Sequence, residues 1–129
     1  MNRKTSINHV ALQFSDKEKA DIFFNKILEM PKVKTFTVSE ELSENIFGIK
    51  KSVEVVVYDN GKARFEVFIK DPITTKYSYE HTCIEISNKK EFIARCKKYD
   101  IEPLIVKKED KDLLFVRDFS NNLYEIKEK

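Results

Sequence analysis

Ile7-Asn8-His9-Val10-Ala11-Leu12-Gln13-Phe14-Ser15-Asp16 returns further along the chain as Tyr79-Glu80-His81-Thr82-Cys83-Ile84-Glu85-Ile86-Ser87-Asn88. Superposition sets His9 on His81, Leu12 on Ile84, Phe14 on Ile86 and Ser15 on Ser87, and the protein has no other histidine. Self-similarity of this length marks a repeated supersecondary unit. Alternation predicts a strand over 6–14, with Val10, Leu12 and Phe14 on the face that packs under a helix and His9 on the other. Ser15-Asp16-Lys17-Glu18 reads as a capping box that opens that helix at Ser15.

The helix is expected to run to about Met30 on a stripe of Ala20, Phe23, Phe24, Ile27 and Leu28, with Pro31 as its stop. A strand at 33–38 follows, then a short helix at 39–47 ended by Gly48. Segments 52–58 and 63–70 flank Asp59-Asn60-Gly61, a strong hairpin turn. The second half repeats the plan. It has a strand at 82–86, a helix capped by Ser87 or Asn88 with Phe92, Ile93, Cys96 and Tyr99 inward, and strands at 103–108, 113–118 and 123–128. The expected fold is α+β: two βαβββ modules, about 5–71 and 79–129, joined by a linker at 72–78. Together they form a single domain with a curved, partly open barrel of mixed sheet.

The far ends of the halves match too. Phe65-Glu66-Val67 corresponds to Tyr124-Glu125-Ile126, an acid between apolar neighbours in each closing strand. Each half thus offers one histidine and one glutamate on the face away from its helix. Taken singly, such residues are ordinary strand residues facing solvent. Their coincidence at four equivalent positions makes His9, Glu66, His81 and Glu125 a candidate set for one divalent ion: Zn, Ni, Co, Mn or Fe. Four protein ligands in an octahedral sphere leave two positions for a substrate. Arg64 shares a strand face with Glu66 and is either an anchor for an anionic substrate or a cross-strand salt-bridge partner. Phe68 and Phe47 are candidate apolar walls of a pocket, or plain core.

Composition excludes other classes. The chain has 129 residues, 36% of them charged, with a net charge of +2. Its lysine pairs are dispersed, which does not suit a nucleic-acid surface. No apolar run reaches the roughly 20 residues of a membrane span. The two cysteines are read as free, buried thiols in a reducing compartment, and the expected location is cytoplasmic.

At these residues the sequence resembles the vicinal oxygen chelate superfamily, which includes glyoxalase I, methylmalonyl-CoA epimerases, extradiol dioxygenases and the fosfomycin and bleomycin resistance proteins. Phe115-Val116-Arg117-Asp118-Phe119-Ser120-Asn121-Asn122-Leu123-Tyr124-Glu125 resembles the family's closing motif, an Asp-Pro-Asp-Gly-Asn run before the last glutamate strand. Phe119 stands here for the proline and Asn121 for the glycine. The ligand pattern is most like glyoxalase I, since the dioxygenases and fosfomycin enzymes use two histidines and one glutamate and the epimerases carry Gln where this chain has Glu66. The Asp-Leu-x-Arg-Ser and Gly-Met elements of glyoxalase I are absent.

The resemblance implies a metal-dependent isomerase or lyase for a small substrate with vicinal oxygens, with Glu66 or Glu125 as the base. The alternative is a non-catalytic small-ligand binding protein of the drug-sequestering type. It also implies a homodimer, so that the four ligands meet either within one chain or across two.

Overall fold

A computed structural model describes residues 6–70 and 79–129. The expected linker at 72–78 lies outside the described residues. Among them, the element order is β1 (Val10–Phe14), α1 (Lys17–Asp21) with a π-helical continuation (Ile22–Ile27), β2 (Lys32–Val38), α2 (Glu40–Phe47), β3 (Val53–Asp59) and β4 (Arg64–Ile69). The second half runs β5 (Thr82–Ile86), α3 (Lys89–Lys98), β6 (Leu104–Lys108), β7 (Lys111–Arg117) and β8 (Leu123–Glu128). Two mixed four-stranded sheets result, ordered β1-β4-β3-β2 and β5-β8-β7-β6. In each, the first strand pairs in parallel with the last, Ala11 opposite Glu66 and Cys83 opposite Glu125. The two sheets do not join into one closed barrel among the described residues.

Local chemistry sets the boundaries. The first helix is capped by Asp16, not Ser15: the Asp16 carboxylate accepts the Glu18 and Lys19 amides. Ser15 is occupied elsewhere, its amide donating to Ser120 Oγ at 3.2 Å. In the second half Asn88 does the same work for Glu91. Ser39 caps α2 through the Leu42 amide, and Gly48 closes it in the left-handed region at φ 73°, where a Cβ would be strained. The first helix widens after Asp21, with Leu28 N–H reaching Phe23 O at 2.9 Å. It then turns at Glu29, φ 59°, two residues before Pro31.

The π turn holds the two halves together. Its adjacent phenylalanines point to different modules: Phe23 lies 4.9 Å from Tyr124 of the second sheet, and Phe24 stacks at 4.9 Å on Tyr58 of the first. One core cluster therefore takes residues from both sheets and both long helices, including Phe14, Val67, Phe92, Cys96, Val116 and Ile126. Arg95 of α3 donates to the Ile27 carbonyl at 2.9 Å across the same boundary. On the opposite face of the first sheet a second, smaller cluster buries Val38, Val55 and Val57, with Val53 and Phe68 packed against it.

Candidate functional site

His9 stands immediately before β1 and His81 immediately before β5, each beside a glutamate of the parallel closing strand. Parallel pairing brings the ends of first and last strands to the same edge, so sequence-distant His and Glu become neighbours. His9 Nε2 lies 3.5 Å from Glu66 Oε1, and His81 Nε2 lies 3.5 Å from Glu125 Oε1. Both pairs are accessible, with side-chain exposures of 38% and 16% in the first and 39% and 19% in the second. The four expected ligands are thus brought together as two pairs, one on each sheet. No cluster of three or more His, Cys, Asp or Glu side chains suited to a metal forms among the described residues.

The tautomers matter. His9 Nδ1 donates to Asn8 Oδ1 at 2.8 Å, and His81 Nδ1 donates to the Tyr79 carbonyl at 2.9 Å. An acceptor at Nδ1 places the proton there and leaves the Nε2 lone pair facing the glutamate, as a ligating imidazole requires. Nε2 is thus the nitrogen that meets the glutamate, through a shared proton or, with that proton gone, through a shared cation. Adjacent donors of one octahedral ion with bonds of about 2.1 Å stand about 3.0 Å apart, so each pair, at 3.5 Å, is about half an ångström wider than two neighbouring ligands of such an ion.

The surroundings of the two glutamates differ. Arg64 Nε reaches Glu66 Oε2 at 3.6 Å, while its other nitrogen is held by Asp59 Oδ2 at 3.0 Å. Asp59 is held below the ordinary aspartate range, mainly because the Gly61 amide donates to it and then because of Arg64. Both of Arg64's partners are thus carboxylates of its own sheet. Glu125 has only Lys127 on its second oxygen, at 3.7 Å. Arg64 is 25% exposed and Lys127 54%.

Phe47 and Phe68 meet edge to face at 5.5 Å and line a cavity of about 480 Å³ on the same face of the first sheet. Cys83 departs from expectation: it is exposed, on the His81 face opposite Glu125, because alternation carries it away from the helix. Only Cys96 is buried, its thiol pushed up to about 11 by burial. Sequence reasoning passed over Asp59 and Lys127. Their positions on the Arg64 and Glu125 sides of the strands were the available signal.

No family model matches the chain, and no curated protein matches it. Solved structures do. A glyoxalase family protein from Bacillus cereus superposes with a TM-score of 0.77 at 18% identity, over 98% of this chain and 95% of that one. The fosfomycin resistance protein FosX of Listeria monocytogenes gives 0.73 at 14%, with coverages of 98% and 95%. A glyoxalase family protein from Enterococcus faecalis gives 0.71 at 19%, with coverages of 94% and 95%. Structures of the Listeria protein contain Mn(II), one of them, a Glu-to-Gln mutant, together with 1S,2S-dihydroxypropylphosphonic acid. With its paired βαβββ modules and these neighbours, the chain has the fold of the glyoxalase-family and fosfomycin-resistance structures.

Proposed function

We propose that the protein is a divalent-metal-dependent isomerase or lyase for a small substrate with vicinal oxygens, working as a homodimer. In this reading His9 and Glu66 of one chain and His81 and Glu125 of another hold a single ion. The observation that carries it is the pair geometry: two equivalent His–Glu pairs, each with Nδ1 committed to an acceptor and Nε2 turned to the glutamate, and each two ligands short of a full set. A twofold that brings pair one of each chain to pair two of the other completes both sites at once. The Mn(II) in structures of the Listeria neighbour supports a metal in this fold.

The bound ion would supply Lewis-acid polarisation of the substrate's oxygens. The chain's own residues do the rest. Asn8 and the Tyr79 carbonyl fix the imidazoles, and Arg64, itself tied to Asp59, braces Glu66. Glu125, braced only by an exposed lysine, is the carboxylate free to take a carbon-bound proton and return it to the neighbouring carbon.

Two double variants test this, His9→Ala/Glu66→Gln and His81→Ala/Glu125→Gln. Each alone should fail to hold stoichiometric metal. Mixed after unfolding and refolding together, they should regain about a quarter of the wild-type sites, because half of random dimers are hybrids with one intact site of two. A mixture that regains nothing, from a wild type that does bind metal, would exclude the shared site. A wild type that binds no divalent ion would favour the small-ligand binding protein instead.

A further inference from the structure

The cavity on the first sheet is roofed by α2, an element that the second half lacks among the described residues: β6 and β7 are joined by a tight two-residue turn, and the hollow of about 390 Å³ over them has no helix above it. The floor of the first cavity is Ala11 and Gln13 of β1, Val53 of β3 and Phe68 of β4, and α2 lays Phe47 and Ser43 over it. Ala11 lies two residues from His9 and Phe68 two from Glu66, on the same strand faces, so the cavity opens along the strands that carry the pair, although neither His9 nor Glu66 lines it. At its far end stand Lys51 and Lys70, and among the described residues no acidic side chain lines it. Neither ammonium has a carboxylate partner among the described residues. Glu54, the β3 residue paired with Ile69, is engaged on the helix side by Lys17 at 2.7 Å.

We propose that this cavity selects an elongated, singly anionic substrate. Its oxygenated end lies toward His9 and Glu66, its apolar body against the touching rings of Phe47 and Phe68, and its carboxylate at Lys51 and Lys70. The assignment of the oxygenated end rests on the function proposed above; the apolar body and distal anion rest on the cavity alone. Four residues of strand separate Glu66 from Lys70, about 13 Å, roughly the length of an eight-carbon extended chain with a polar group at each end. A volume of about 480 Å³ also falls among pockets that enclose ligands of that size rather than three-carbon ones.

The test is a series of straight-chain carboxylates and matched alcohols, from four to twelve carbons, titrated calorimetrically into chelator-treated protein. Affinity should rise about two- to fourfold per methylene to about eight carbons and then level off. The carboxylate should bind about tenfold tighter than the alcohol of equal length, and Lys51→Ala/Lys70→Ala should erase that difference. Phe47→Ala should weaken the long members and spare the short ones. All of these residues except Phe68 are exposed or at the rim, so the variants fold. Lys108→Ala, on the other sheet, should leave the series unchanged, and because the protein is chelator-treated the series reports this cavity and not metal binding. A series flat in length, or alcohols binding as well as carboxylates to wild-type protein, would overturn it.

Discussion

Two residues before Glu66 stands Arg64; two residues before Glu125 stands Leu123. The hairpin turns that precede them are built on equivalent aspartates with opposite roles. Asp59 is turned outward, held by the Gly61 amide and Arg64, and thereby ties the first glutamate into a charged row along the sheet. Asp118 is turned inward and buried. It accepts the Ser120 and Asn122 amides at 2.8 and 3.0 Å, the Asn122 side chain at 3.0 Å and the Tyr124 hydroxyl at 2.6 Å. Asn122 passes this network on to the Gln13 carbonyl of the first module. The turn of one half ends in a charged row beside Glu66; that of the other joins the halves.

The largest consequence is for the two carboxylates. If Glu125 moves the proton, Glu125→Gln should cost about 10²- to 10⁴-fold in turnover, with metal retained at raised metal concentration. Glu66→Gln should act mainly by loss of metal. Equal pH–rate profiles and equal metal contents for the two would erase the distinction.

Next in size is the bracing. Arg64→Leu, which copies the second half into the first, should weaken metal binding about 10- to 100-fold. Lys127→Ala, at a half-exposed ammonium, should change it less than about threefold. A metal competition assay on the two variants measures both.

The tyrosines separate the turns by stability. Tyr124→Phe leaves a buried carboxylate one donor short and should cost about 1–3 kcal/mol in chemical denaturation. Tyr58→Phe removes the 2.5 Å bond to Asp21, a residue that also meets Lys32, and should cost about 1 kcal/mol.

The smallest effect is one of sign. Burial holds Asp118 above the ordinary aspartate range despite its donors, so the folded state keeps that proton longer and its stability falls as pH rises through the window up to the raised value. Asp59 lies below the range, so its contribution is present above the ordinary value and is lost as pH falls toward the lowered one. Asp118→Asn and Asp59→Asn should therefore change the acid limb of a stability–pH curve in opposite directions.

Much of this was legible in the sequence. The repeat around His9 and His81, together with the matching Glu66 and Glu125, gave strand faces, module order and both His–Glu pairings, because alternation and parallel pairing decide neighbours within a sheet. The same pattern left open whether the pairs meet, since periodicity says which side a residue faces and nothing about how two sheets sit on a common core. Smaller differences have local causes. Asp16 displaced Ser15 as the cap because the Ser15 amide is committed to Ser120, a partner more than a hundred residues away. The π turn escaped notice because the Phe23, Phe24 and Ile27 spacing suits either kind of helix. Cys83 was assigned to the core by composition where alternation places it opposite Glu125.

The parallel strand pairs also govern how the protein is made. β1 pairs with β4 and not with its neighbour in sequence, and β5 likewise pairs with β8. During synthesis the first strand of each half has no partner until Arg64–Ile69, or later Leu123–Glu128, has been added. Such long-range closure makes folding slow for the chain's size, and it leaves the histidine-bearing strand of each half the last to be secured on the nascent chain.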